Sequence, residues 1–251
     1  MYLNMQIMQK APQSGVFLDP DAIVHFPLIN SLDHKKGIDS YVWESQERTV
    51  THPDDGSALV IPANTPYFHP VHGLWCTSDR NFDVLRADMR TVLQGVTEWS
   101  CEFKIRASAL VGFDLPFWFN TDASLSSTPE RRICLVLNDQ GEASIQYKGQ
   151  NTGANQQDNF FPFVANQTFK IRATVSTADS EINMYVDDAF YGSISISSQF
   201  GMTTHQGYMH FTDYCQSPAD DAGTGAGGDS PDGDGGYWIR DIKFWSGIVT
   251  P

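Results

Sequence analysis

Residues 167–198, QTFKIRATVSTADSEINMYVDDAFYGSISISS, alternate apolar and polar side chains through three consecutive runs. Phe169, Ile171, Ala173 and Val175 share one face, and Lys170, Arg172 and Thr174 the other. A period of two buries one face of a strand and wets its opposite, and it cannot form the apolar stripe of a helix. Ala178-Asp179-Ser180 breaks the run; Ile182, Met184 and Val186 resume it, Asp187-Asp188 breaks it again, and residues 190–196 form a third strand. Strands joined by such short turns lie antiparallel.

The same punctuation recurs elsewhere. Strand signals cover residues 22–28, 97–107, 115–119, 133–137, 143–148, 207–212 and 237–245, and the apolar runs LPFWF and ICLVL suit strands covered on both faces. Pro53, Asp54-Asp55-Gly56, Pro62, Pro66 and Pro70 exclude long helices between residues 41 and 75. Leu85, Met89, Val92 and Leu93 fall at helical spacing and predict one or two turns plugging an end of the fold. Residues 148–159, KGQNTGANQQDN, predict an exposed loop. Roughly a dozen strands at intervals of about 8–15 residues predict an all-β, two-sheet antiparallel sandwich or jelly roll. Its predicted extent is residues 18–251, behind an irregular arm at residues 1–17.

A net charge of −14 argues against nucleic acid as a partner, and no sequence-local cluster of Lys and Arg offsets it. No run approaches the roughly 20 apolar residues of a membrane-inserting span. The first residues lack the basic and apolar regions of a secretory signal, which predicts use without export, or a signal trimmed away. Cys76, Cys101, Cys134 and Cys215 are widely spaced without a CxxC pair and predict buried, reduced thiols.

Residues 47–81, ERTVTHPDDGSALVIPANTPYFHPVHGLWCTSDRN, resemble a segment of bacteriophage virion proteins that precedes a concanavalin A-like or laminin-G-like jelly roll. Arg48, Thr51, Asp55, Gly56, Asn64, Pro66, Phe68, Gly73, Leu74 and Asn81 carry the match; Tyr67 and residues 76–79 depart from it. FPLINSLDHKKG, WSCEFKIRAS, TFKIRATVSTADSEINMYVDDAFYGSI and GYWIRDIKFWSG resemble strands of the same fold. The resemblance implies that the first and last strands pair, and that Asp188 stands where a glycine is usual. It implies a non-enzymatic structural protein of the virion surface, in a capsid decoration, fibre or tail. Its expected partners are other virion subunits, in a homo-oligomer or a capsid or tail lattice. The expected location is the virion, after synthesis in the host cytoplasm. A secreted carbohydrate-binding module, lyase or glycanase of this fold is the alternative.

No catalytic set is legible. The E-x-D-x-x-E strand of a retaining glycosidase, which holds two carboxylates about 5 Å apart, is absent. Tyr147, Lys148 and Gly149 match part of an alginate-lyase strand, without its Q-I-H partner. His69 and His72 are close, but Pro70 between them argues against a metal or catalytic geometry. Asp229, Asp232 and Asp234, in GTGAGGDSPDGDGGYW, form either a flexible acidic loop or a calcium site, because glycines let carboxylates and carbonyls converge on a hard cation. Trp118, Asn151, Asn155, Tyr214 and Trp238 are the candidate contacts for a cell-surface glycan, since sugars stack on aromatic rings and hydrogen-bond to amides.

Overall fold

The computed structural model describes residues 17–45, 47–51, 54–77, 84–107, 114–120, 132–137, 142–148, 156–176, 178–195, 208–211 and 236–251. Its first strands are β1 (Val24–Phe26), β2 (Ser40–Glu44), β3 (Arg48–Thr51), β4 (Ala58–Ile61), β5 (Phe68–His69), β6 (Gly73–Thr77) and β7 (Val84–Asp88). One helical turn, α1 (Arg90–Leu93), precedes β8 (Glu98–Ala107), β9 (Asp114–Asn120), β10 (Arg132–Leu137), β11 (Glu142–Lys148) and β12 (Gln156–Pro162). The opening pattern becomes β13 (Phe169–Ser176), β14 (Glu181–Val186) and β15 (Ala189–Ser195), followed by β16 (Tyr208–Phe211) and β17 (Gly236–Ser246).

These strands build an antiparallel sandwich. The first sheet runs β15-β14-β13-β8-β17-β6-β5, with β1 also on β17; the second runs β12-β11-β10-β9-β16-β7-β2. The first and last strands do pair, with Val24 opposite Phe244. Cys101, Phe103, Ile105, Ile171, Ala173, Ile239 and Phe244 of the first sheet meet Leu85, Ala87, Ala143, Phe161 and Met209 of the second in one apolar core. Burying each large side chain contributes about 1.5–3 kcal/mol, which makes this alternation the main determinant of register.

Two local expectations are corrected. Leu85 lies on β7, whose buried Leu85 and Ala87 alternate as strand residues; only Arg90–Leu93 is helical. The spacing misleads because residues 85, 89 and 93 satisfy both periods. Residues 156–159 belong to β12, paired to β11, and residues 149–155 of the expected loop lie outside the described residues. The backbone ladder holds this polar edge strand without an apolar pattern. Cys76 and Cys101 are buried, and burial pushes the Cys101 thiol up to about 12.

The first sheet is also buried in part on its outer face. The β3–β4 hairpin lays Ile61 against Trp75 and Trp238, with Leu59 and Tyr67 packed around them. At the other end of β17, residues beyond the strand fold back: Ser100 Oγ donates to Gly247 O at 3.0 Å and accepts from Val249 N at 2.8 Å.

Candidate functional site

Strand register decides which outward side chains become neighbours. On β8, residues 100, 102, 104 and 106 alternate with the core-facing set, and β13 and β17 follow the same rule. Lys104 stands opposite both Lys170 and Arg240, which makes a cationic row across three strands. Glu102 stands between Arg172 and Lys243 in the next row, and Arg106 lies opposite Trp238. A chain of net charge −14 thus gathers six of its 16 Lys and Arg residues on one face.

Like charges directly opposite destabilise a sheet, and most of these are neutralised. Lys170 pairs with Asp188, Lys104 Nζ with Asp241 Oδ2 at 2.8 Å, and Arg172 Nη2 with Glu102 Oε2 at 2.5 Å. Lys243 Nζ lies 3.4 Å from Asp19 and 3.6 Å from Asp241. Asp241 reaches both lysines from a β17 bulge, at φ 56°. Arg106 and Arg240 are different. Arg106 donates to Asn166 O at 3.1 Å, to Asn166 Oδ1 at 3.3 Å and to His72 Nε2, all neutral acceptors. The Arg240 side chain has no ion pair or hydrogen bond among the described residues, and its charge bears on His72.

His72 sits in a ring cluster beside these guanidiniums. It stacks on His69 at 4.5 Å and 16°, and Trp238 closes on the two rings at 5.9 and 5.5 Å. Burial, reinforced by the neighbouring Arg106 guanidinium and the His69 ring, brings His72 down to about 4, with Arg240 adding to the same effect and Asp54 opposing it. Gly73, at φ 97°, makes the approach possible: a Cβ there would lie 2.3 Å from Ile239 O and 2.5 Å from the Arg240 Cβ.

Asp54, His69 and His72 bring ligand atoms within 4.8 Å of one another, the separation a metal ion requires. Their hydrogen bonds do not fit one. His69 Nδ1 accepts from Val71 N and His72 N, both at 3.2 Å, so the ring proton is on Nε2 and faces Asp54 Oδ2 at 2.9 Å. A metal on Nε2 would force a proton onto Nδ1, toward two N–H donors. Pro70, expected to prevent such a geometry, does not keep the two rings apart; the hydrogen bonds of His69 are what oppose a metal.

A second feature occupies the edge of the same face. Tyr185 pairs with Phe190 and Met184 with Gly192, so Tyr191 is the extra residue of a bulge. The bulge turns Tyr191 toward Phe161, at 5.4 Å, and leaves Phe190 edge-on to Tyr185 at 5.7 Å. Phe190 is 60% exposed and Tyr191 38%. Asp187 and Asp188, at φ 49° and 71°, form the turn before it with positive φ at both positions. Asp188 thus takes the left-handed conformation in which glycine is usual, at a cost that glycine would not carry.

The expected contacts fare unevenly. Trp238 is 1% exposed, with Tyr67, His69, His72 and Trp75 around its ring, so it has no face left for a sugar and is corrected to a core residue. Trp118 lies on β9 opposite Cys134 and His210. Asn151, Asn155, Tyr214 and the Asp229, Asp232 and Asp234 calcium candidates lie outside the described residues. Phe190, Tyr185, Arg106 and Arg240 went unread, because only register and the bulge bring them to one surface. A polar cleft of about 220 Å³ between Asp39, Asp88, Arg90, Thr91 and Gln94 is occupied with its own pairs, Arg90–Asp88 at 2.8 Å and Thr91 N to Asp39 Oδ2 at 3.1 Å.

No protein-family model matches the chain, and no curated protein matches it in sequence. Solved structures do match. The receptor binding domain of botulinum neurotoxin D superimposes with a TM-score of 0.57 at 12% identity, over 92% of this chain and 50% of that one. The binding domain of botulinum neurotoxin DC gives 0.54 at 12% identity, over 91% and 49%, both in complex with SialylT and in complex with rat synaptotagmin II. The chain therefore spans about half the length of these solved chains. Similarity at this identity shows the fold, a β-sandwich also used by receptor-binding domains.

Proposed function

We propose that this chain is a non-enzymatic recognition module that binds cell-surface glycans on the outer face of its first sheet. The carrying observation is the aromatic ledge of Phe190 and Tyr185, held open by the β15 bulge beside Arg172 and Lys170. An exposed ring among fixed polar groups is the combination that holds a sugar, by stacking and by hydrogen bonds. Two of the solved structures that match this chain over about half their own length, one in complex with SialylT and one on cell entry dependent upon interaction with two ganglioside molecules, support the ligand class. Screening on a glycan array tests the proposal: Phe190→Ala is expected to lower binding at least about tenfold, with stability changed by less than about 0.5 kcal/mol. Unchanged binding by this variant would remove the ledge from the site.

A position on the surface of a virion, among other virion subunits, is the finer reading. It is supported by the motif residues, which fall in the β3–β4 turn (Asp55, Gly56), the β4–β5 connection (Asn64, Pro66) and the paired strands β5 and β6 (Phe68, Gly73, Leu74). Antibody labelling of purified particles tests it, and unlabelled particles would refute it.

A further inference from the structure

We infer that the glycan carries an oxyanion, which Arg106, Arg240 and His72 receive. This deepens the glycan-binding proposal and rests on it. Three observations on this face lead there. First, Lys170, Lys104 and Arg240 stand side by side across three strands, an arrangement that works against the sheet unless anions offset it. Lys170 and Lys104 have theirs in Asp188 and Asp241, whereas Arg240 has none among the described residues. Second, Arg106 is oriented without being neutralised: Asn166 and His72 fix its plane through neutral acceptors. A guanidinium held in place with its charge uncompensated is pre-organised for a carboxylate or sulfate. Third, His72 accepts from Arg106 through Nε2, which leaves its proton on Nδ1 as a further donor.

The neighbourhood also limits the ligand. Asp54 lies against His69, Asp55 follows it in the adjoining turn, and the molecule carries a net charge of −14. A long polyanion is repelled by such surroundings, whereas a single oxyanion on an otherwise neutral saccharide meets only the two arginines. Four strand steps separate the Phe190 ledge from Arg240, about 19 Å at the usual strand spacing. That span suits an oligosaccharide with one ring on the ledge and its charged sugar at the arginines.

A carboxylate and a sulfate ester share this chemistry. The test is an array of matched neutral, sialylated and sulfated forms of the same oligosaccharides, followed by calorimetric titration of the best of each. The full chain is expected to bind one acidic class at least about tenfold more tightly than the neutral parent. Arg240→Gln and Arg106→Gln are each expected to return that affinity to the neutral level, while Arg240→Lys retains part of the preference. Because Arg240 opposes Lys104, the melting temperature of Arg240→Gln should equal or exceed that of the native chain, which separates lost recognition from lost folding. Equal binding of neutral and acidic forms, unaltered in Arg240→Gln, overturns the oxyanion seat and leaves glycan binding standing. No binding to any member of the array overturns both.

Discussion

Asp241 holds several elements from one backbone position that few residues tolerate. At φ 56° its carboxylate meets His25 Nε2 at 3.0 Å and Lys104 Nζ at 2.8 Å, with Lys243 at 3.6 Å, while its N–H donates to Pro27 O at 2.9 Å. Burial works against the ionised form, but the hydrogen bonds from His25 and Lys104 outweigh it and hold the carboxyl well below the usual range. A carboxylate with a depressed folded pKa stabilises the fold above its unfolded pKa of about 3.9, and that contribution is lost as pH falls below it. Asp241→Asn keeps a side chain that accepts the left-handed backbone but removes the charge. Urea unfolding at pH 7 is expected to show a loss of about 3 kcal/mol, and the difference from the native chain should shrink as pH falls toward 3. A loss that does not change with pH would assign the effect to shape.

At the scale of elements, the β14–β15 hairpin joins stability to the proposed site. Asp187 Oδ1 accepts from Lys170 N at 2.9 Å, and Asp188 pairs with Lys170 across the turn. Exposed pairs of this kind contribute little, whereas a non-glycine residue at φ 71° carries a strain cost that glycine lacks. Asp188→Gly is therefore expected to raise stability by about 0.5 kcal/mol in urea, with glycan binding retained; a clear loss would show that the ion pair dominates. This hairpin also marks how far the sequence could be read. Alternation made β8, β13, β14 and β17 legible, because one buried face imposes a strict period of two. The bulges at Tyr191 and Asp241 were not legible, since the extra residue of a bulge is set by pairing with another strand. The candidate site depends on both bulges and on the register that sets residues 104, 170 and 240 abreast, so composition and local pattern could not reveal it.

For the whole molecule, sheet order matters more than any single contact. Strand β17 lies in the middle of the first sheet, bonded to β8 along most of its length and to β6 and β1 on its other side. His25 and Asp241 are 216 positions apart in sequence, and Ser100 and Gly247 are 147 apart. Topologies so rich in distant pairs fold slowly. During synthesis the consequence is an order of events: β1, β6 and β8 leave the ribosome long before the strand that joins them exists. A chain stopped before residue 236 should stay sensitive to limited proteolysis, whereas one extended through residue 251 becomes resistant, and early resistance would show that β8 and β13 form a stable unit alone. Until β17 has been made, the nascent protein carries open strand edges, which makes it a natural client for chaperones.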